Sequence, residues 1–287
     1  MKVGIIGAGA WGTALSIVTA RGGADVIMWS FDGMYKEFDN VDMPHNIKVS
    51  TNMSDIKETD LWLIVTPAAF FRETMRKARE YYNGQPVIIC TKGAEYSTNQ
   101  FMSAVLQSEI PECRDLGVLA GPQFAAEVAQ GIPTGSTLAG NNNIIVAGQE
   151  ALNKLYINPS DDIIGTEICS VGKNAVALIC GYNVGAGKGE NERAMMFTRA
   201  WNEVLNIGLA AGAKMRTFLD LCGIGDLFLT ATSETSRNFS AGVAIARGDT
   251  PSGTVEGIFA LCGLIAHAKN FGINTPVLIE MKEKINI

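Results

Sequence analysis

A chain of 287 residues exceeds the usual size of one hydrophobic core and points to two domains. With 47% hydrophobic and 18% charged residues it holds ample material for buried cores, which excludes a disordered chain. A formal charge of -6 opposes nonspecific binding to nucleic acid or an anionic lipid surface, because both sides carry the same sign.

The first half alternates short β-branched runs with helix-period segments. Strands are expected at Val3 to Ile6, Val26 to Trp29, Leu61 to Val65, Val87 to Cys90 and Gly117 to Ala120, with a helix opening near Thr13. Such alternation implies parallel strands joined by crossover helices. The runs are apolar throughout, as expected when helices cover both faces of the sheet. The segment Asp162 to Ile168 reads as a last strand. Beyond Thr166 the pattern turns helical, at Val171 to Gly185, Asn191 to Ala213, Ser236 to Arg247 and Val255 to Phe271. The expected fold is therefore α/β: a Rossmann-type, doubly wound, mainly parallel sheet over residues 1–166, then an all-α substrate domain over 167–287.

No unbroken apolar run reaches the roughly 20 residues of a bilayer span, and Val3 to Ile6 enters a glycine turn rather than a cleavage site. No membrane span or secretion signal is expected, and the location is read as cytoplasmic. The six cysteines (Cys90, Cys113, Cys169, Cys180, Cys222, Cys262) form no CxxC pair, which suits a reducing compartment. Only His45 and His267 are present, neither in a ligand pattern, so neither a zinc site nor a Ser-His-Asp triad is expected.

Gly7-Ala8-Gly9-Ala10-Trp11-Gly12 follows the first strand at once and opens a helix, the context in which GxGxxG binds a dinucleotide. Gly7 allows the tight turn, Gly9 brings backbone N–H groups to the pyrophosphate, and Gly12 lets helix and strand pack closely. Ala10 and Trp11 complete the turn; Trp11 either walls the cofactor or fills the core. Phe31 and Asp32 end the second strand, where a carboxylate binds ribose hydroxyls. No arginine or lysine stands there for a 2′-phosphate, which favours NAD, with NADP an option if a cation arrives from elsewhere. Asp32 reads equally well as a turn residue before Gly33.

Three further positions carry charge in apolar settings. Lys92 sits just past a strand's carboxyl end, where open α/β sheets bind ligands. Asp226 lies in an apolar stretch and needs a partner to be buried, for which Lys173 is the candidate; it reads also as a helix cap. Ser236-Arg237-Asn238 precedes an alanine-rich helix whose N–H groups, dipole and Arg237 fork could address one phosphate, or simply cap the helix.

Together GAGAWGTAL, TKG (Thr91 to Gly93), AGPQFAAEVAQGIPT (Ala120 to Thr134), VGKNAVAL (Val171 to Leu178), GIGDLFLTATSETSRN (Gly223 to Asn238) and VEG (Val255 to Gly257) resemble the glycerol-3-phosphate dehydrogenase family in order and spacing. The resemblance runs from Met1 to about Pro276. It implies interconversion of dihydroxyacetone phosphate and glycerol 3-phosphate, a phosphorylated small-molecule substrate as the partner, and a homodimer. It places Lys173 as the proton donor at the start of the second domain's first helix. An ordinary lysine pKa of about 10.4 then calls for a buried or cation-flanked setting. Lys92 and Asp226 join it as catalytic residues, with Gly121, Gln123, Asn174, Thr230, Ser236, Arg237 and Asn238 at the substrate. Lys92, Ala125, Arg237 and Glu256 are implied at the cofactor.

The chain departs from the family pattern in places. Gln123 stands where a serine or threonine is usual, and Phe239-Ser240 replaces further basic residues. The loop before Val255 is short, and the sequence ends soon after Pro276, where relatives carry another helical segment. Rival readings are a 6-phosphogluconate or β-hydroxy acid dehydrogenase and a catalytically silent NAD-binding protein.

Overall fold

The computed structural model describes residues 1–253 and 255–286. The chain divides into two compact units: Met1–Glu95 with Gln100–Ile163, and Tyr96–Asn99 with the chain from Ile164 on. The boundary drawn at 166/167 thus falls a few residues into the second unit's first helix.

The first unit holds eight strands: β1 (Lys2–Ile6), β2 (Asp25–Trp29), β3 (Ile47–Ser50), β4 (Leu61–Ile64), β5 (Val87–Ile89), β6 (Leu116–Ala120), β7 (Gly135–Gly140) and β8 (Tyr156–Ser160). They form one sheet in the order β3-β2-β1-β4-β5-β6-β7-β8. Every pairing is parallel except β6 with β7. Five of the six strands expected from the sequence are present, and β3, β7 and β8 are additional. The helices of this unit are α1 (Ala10–Arg21), α2 (Ala68–Ala78), α3 (Met102–Glu109), α4 (Ala125–Gln130) and α5 (Asn142–Ala151).

The apolar strands are explained by two cores. Val3, Ile5, Leu61, Leu63 and Ile88 pack with Leu15 and Val18 of α1, Val128 of α4 and Ile144 of α5. Their neighbours Ile6, Trp62, Ile64, Val87 and Ile89 pack with Phe71 and Met75 of α2 and Val105 and Leu106 of α3. Successive residues of one strand feed opposite cores, so both faces are covered. Each large buried side chain contributes about 1.5–3 kcal/mol.

The expected last strand at Asp162 to Ile168 is instead helical from Ile163. Its β-branched residues mimic a strand, but the apolar positions continue around every side of α6 (Ile163–Gly185), 18 of whose 23 residues are buried. The last strand is β8, an edge strand that tolerates Pro159. By length and composition α6 could cross a bilayer, although its apolar run is broken by polar residues, yet 89% of its most apolar window is buried in the protein.

The second unit continues with α7 (Glu190–Ala210), α8 (Met215–Phe218), α9 (Asp226–Thr232), α10 (Arg237–Ala246), α11 (Glu256–Asn270) and α12 (Pro276–Lys284). It contains no strand among the described residues. A side chain at Gly242 of α10 would put Cβ 2.2 Å from the Leu178 carbonyl of α6, so glycine there sets how closely these two helices approach. Glu203 of α7 accepts from the Val277 and Leu278 N–H groups at 2.8 and 3.0 Å, holding the start of α12.

Candidate active site

In the first unit the glycine turn is built as its spacing demands. Gly7 adopts φ +119°, and a Cβ at Gly12 would fall 1.9 Å from the Gly7 carbonyl. A Cβ at Gly9 would meet nothing within 4 Å, so open space faces the turn there. Helix α1 starts at Ala10, earlier than the expected Thr13, and its cap residue Gly9 has no side chain to occupy the first N–H groups. Those groups and the positive helix end suit a pyrophosphate. Trp11 packs on the apolar core while its Nε1–H is buried without a hydrogen-bond partner. The residues present therefore fit a dinucleotide.

At the end of β2, Asp32 is exposed and its Oδ1 accepts from the Met34 N–H at 3.0 Å and the Ser30 hydroxyl at 3.1 Å. The Met34 N–H first, and Ser30 next, hold its carboxyl below the usual range. Asp32 thus shapes a turn, whatever its second oxygen binds. Phe31 is 82% exposed. The chain then returns to the glycine turn, where the Lys36 N–H donates to the Ala8 carbonyl at 3.3 Å and to Thr13 Oγ1. That return brings the Lys36 backbone to the glycine turn, which no local pattern in the sequence announces.

The carboxyl ends of β4, β5 and β6 carry Thr66, Thr91-Lys92 and Gly121. Thr91 Oγ1 donates to the Thr66 carbonyl at 2.7 Å, and Lys92 Nζ lies 3.5 Å from the Gly121 carbonyl. Gln123 follows, with both amide atoms buried and without a hydrogen-bond partner among the described residues, and Ala125 opens α4. Thr134 Oγ1 donates to the Pro122 carbonyl and pins this loop. Thr66 and Ser136, also buried with unpartnered hydroxyls, were not legible as site residues. Their only signal was position at a strand terminus.

In the second unit Lys173 is buried in the middle of α6, not at its start, so the N-terminus of its own helix is remote from it. Its ammonium donates to Asp226 Oδ1 at 2.6 Å and to Thr230 Oγ1 at 3.1 Å. Thr230 itself donates to the same carboxylate oxygen at 3.2 Å. Asp226 is wholly buried in the first turn of α9; Gly225, not Asp226, takes the cap position. A π-helical segment, Leu221–Gly225, leads into α9 with Gly223 outside helical φ/ψ. Within this unit the lysine is flanked by a carboxylate and a hydroxyl.

Beside the triad runs a second set. Asn238 Nδ2 donates to Asn174 Oδ1 at 2.9 Å, the Gly257 N–H donates to Asn238 Oδ1 at 2.8 Å, and Asn174 Nδ2 donates to Glu256 Oε2 at 3.2 Å. Each asparagine keeps one N–H uncommitted by these bonds. Ser236 caps α10 by accepting from the Phe239 N–H at 3.4 Å. Arg237 is 79% exposed at its side chain and 3.8 Å from Glu256. The structure thus gathers Lys173, Asp226 and Thr230, and links Asn174, Asn238, Glu256 and Arg237. Tyr96, which stacks on Phe259 with ring centroids 3.7 Å apart, was missed, because nothing in the sequence places residues 96–99 with the helical unit.

The family models for the N-terminus and the C-terminus of NAD-dependent glycerol-3-phosphate dehydrogenase match residues 2–146 and 162–285. The chain belongs to this family. A glycerol-3-phosphate dehydrogenase [NAD(P)+] of Parvibaculum lavamentivorans is 35% identical over 96% of this chain and 89% of its own length. That of Maricaulis maris is 36% identical, over 98% and 91%. Among solved structures, glycerol-3-phosphate dehydrogenase from Coxiella burnetii superposes with a TM-score of 0.90 at 29% identity, covering 99% of this chain and 94% of that one. A ketopantoate reductase from Ralstonia eutropha reaches a TM-score of 0.69 at 17% identity, a likeness of fold alone. As a glycerol-3-phosphate dehydrogenase family member the chain is an oxidoreductase of the NAD(P)-dependent class, with a Rossmann-type domain and a helical domain.

Proposed function

We propose that this chain interconverts dihydroxyacetone phosphate and sn-glycerol 3-phosphate, with Lys173 as the group that moves the proton. The observation that carries this is the buried Lys173–Asp226–Thr230 set, with contacts of 2.6 and 3.1 Å from the ammonium. An ion pair closed to water costs desolvation and offers little net stability, so its presence inside α6 and α9 fits a chemical task.

A bound NAD(H), held by the Gly7–Gly12 turn, supplies or accepts the hydride at the substrate carbon. In ketone reduction Lys173 donates its proton to the carbonyl oxygen as charge develops there. Asp226 and Thr230 hold the ammonium in one orientation. In the reverse direction the neutral amine takes the hydroxyl proton. Lys92, at the end of β5, stabilises the developing negative charge. The uncommitted N–H groups of Asn174 and Asn238 hold substrate oxygens. The phosphate goes to the start of α10, where backbone N–H groups and the Arg237 guanidinium supply donors. Asp32 supports NAD over NADP through the ribose hydroxyls.

The test follows NADH and NADPH oxidation at 340 nm with dihydroxyacetone phosphate, with free dihydroxyacetone as control. Turnover that requires the phosphate and favours NADH is expected. No oxidation with the phosphorylated ketone, or equal rates with the free one, would refute the substrate assignment.

A further inference from the structure

We propose that Gln123 positions the nicotinamide ring by pairing its side-chain amide with the carboxamide of the bound dinucleotide. The inference rests on dinucleotide binding at the glycine turn and not on the identity of the substrate.

Six residues contribute the buried side-chain polar atoms that lack a partner among the described residues: Trp11, Thr19, Thr66, Gln85, Gln123 and Ser136. Buried polar groups are seldom left so, since each orphan costs about 1–3 kcal/mol. Four of the six line one edge of the sheet. Trp11 follows β1, Thr66 follows β4, and Gln123 follows β6. Ser136 opens antiparallel β7 beside them, its Oγ 3.2 Å from where a Gly121 Cβ would stand. Open α/β sheets bind their ligand outside this edge.

Only Gln123 leaves both a donor and an acceptor of one planar group unsatisfied. That pattern selects its ligand. A phosphate offers acceptors alone and would set Oε1 against an anion. A single hydroxyl answers one atom well but not both at once. A primary carboxamide presents a carbonyl to Nε2–H and an N–H to Oε1, closing two parallel hydrogen bonds.

Position agrees with chemistry. From β1, which carries the pyrophosphate turn, to β6 the sheet crosses β4 and β5, three spacings of about 4.8 Å each, about 14 Å in all. A dinucleotide whose pyrophosphate lay at Gly7 would have to extend its nicotinamide end along that line to meet Gln123. The loop is also held still: Thr134 Oγ1 fixes the Pro122 carbonyl at 3.0 Å, and Lys92 Nζ lies 3.5 Å from the Gly121 carbonyl. A fixed amide recognises its ligand without an ordering cost.

The experiment measures direct binding to the full chain by titration calorimetry, with no substrate present, so its outcome is independent of the substrate assignment. The ligands are NAD+, acetylpyridine adenine dinucleotide, in which a methyl ketone replaces the carboxamide, and ADP-ribose, which lacks the ring. The unsubstituted protein should prefer NAD+ to the acetylpyridine analogue by about 10-fold, the worth of one good hydrogen bond. Gln123→Leu, which removes both bonds, should weaken NAD+ by about 100-fold, level that preference and leave ADP-ribose binding unchanged. Gln123→Glu keeps the acceptor and should retain part of the preference. Loss of ADP-ribose binding in parallel with NAD+ in both variants, unchanged NAD+ affinity in Gln123→Leu, or an undiminished preference for NAD+ in that variant would each overturn the proposal.

Discussion

The two units build their sites from different materials. The first uses backbone: Gly7, Gly9 and Gly12 matter for the side chains they lack, and the N–H groups at the start of α1 have no side-chain cap. The second uses side chains brought from afar. Lys173 and Asp226 are 53 positions apart, Asn174 and Asn238 64, and Asn174 and Glu256 82. A backbone site needs a local motif and tolerates change around it. A side-chain site depends on how α6, α9, α10 and α11 pack. The first unit should therefore govern dinucleotide affinity and the second the chemistry, which crossed substitutions can test.

Lys173→Ala carries the largest expected effect. Turnover with dihydroxyacetone phosphate should fall by about 10³-fold, the range of a lost general acid, while NADH affinity in fluorescence titration stays within twofold of the original. Parallel loss of both would dissolve the contrast between the units. Gly12→Ala is the opposite arm. Its Cβ has no room beside the Gly7 carbonyl 1.9 Å away, so the turn must shift and NADH affinity should drop by about 100-fold. Unaltered binding in that variant would remove the turn from the cofactor site.

The same contrast explains what was legible in the sequence. β1, β2, β4, β5 and β6 announce themselves because both faces are covered and, past Lys2 and Asp25, no position is polar. β7 (Gly-Ser-Thr-Leu-Ala-Gly) and β8, with Asn158 and Pro159, lie toward the sheet's far edge and carry no such signal. Ile163 to Ile168 misled because local propensity and burial pointed to different elements, and tertiary burial won. The glycine turn was readable in place. In the second unit the charges of Lys173 and Asp226 in apolar surroundings invited pairing, but the position of Lys173 in mid-helix did not show. Lys36 and Tyr96 depended on a chain return and a unit crossing that no local pattern records.

Arg237→Ala tests the outer part of the side-chain site. The guanidinium is exposed, with Glu256 at 3.8 Å, so its removal leaves the buried triad in place. The Michaelis constant for dihydroxyacetone phosphate should rise by about 10-fold with smaller change in kcat, as one charged contact to phosphate is worth roughly 1.5 kcal/mol in water. An unchanged Michaelis constant would take the phosphate away from α10.

The smallest expected effect concerns stability in the helical unit rather than chemistry. Glu203 is buried on α7 and holds the first N–H groups of α12. Burial raises its carboxyl above the ordinary value of 4.5, while the Val277 and Leu278 N–H groups pull it down. Because the folded value is raised, the stability that Glu203 contributes is full below pH 4.5 and is lost as pH rises through the folded value. Compared with Glu203→Gln, the original protein should therefore show its greatest relative stability near pH 4 and a shrinking advantage toward pH 7, within about 1 kcal/mol. Urea unfolding at the two pH values reads the difference directly. An advantage that grows with pH would mean that the two N–H contacts outweigh burial, and that charge, not apolar packing, holds α12 to α7.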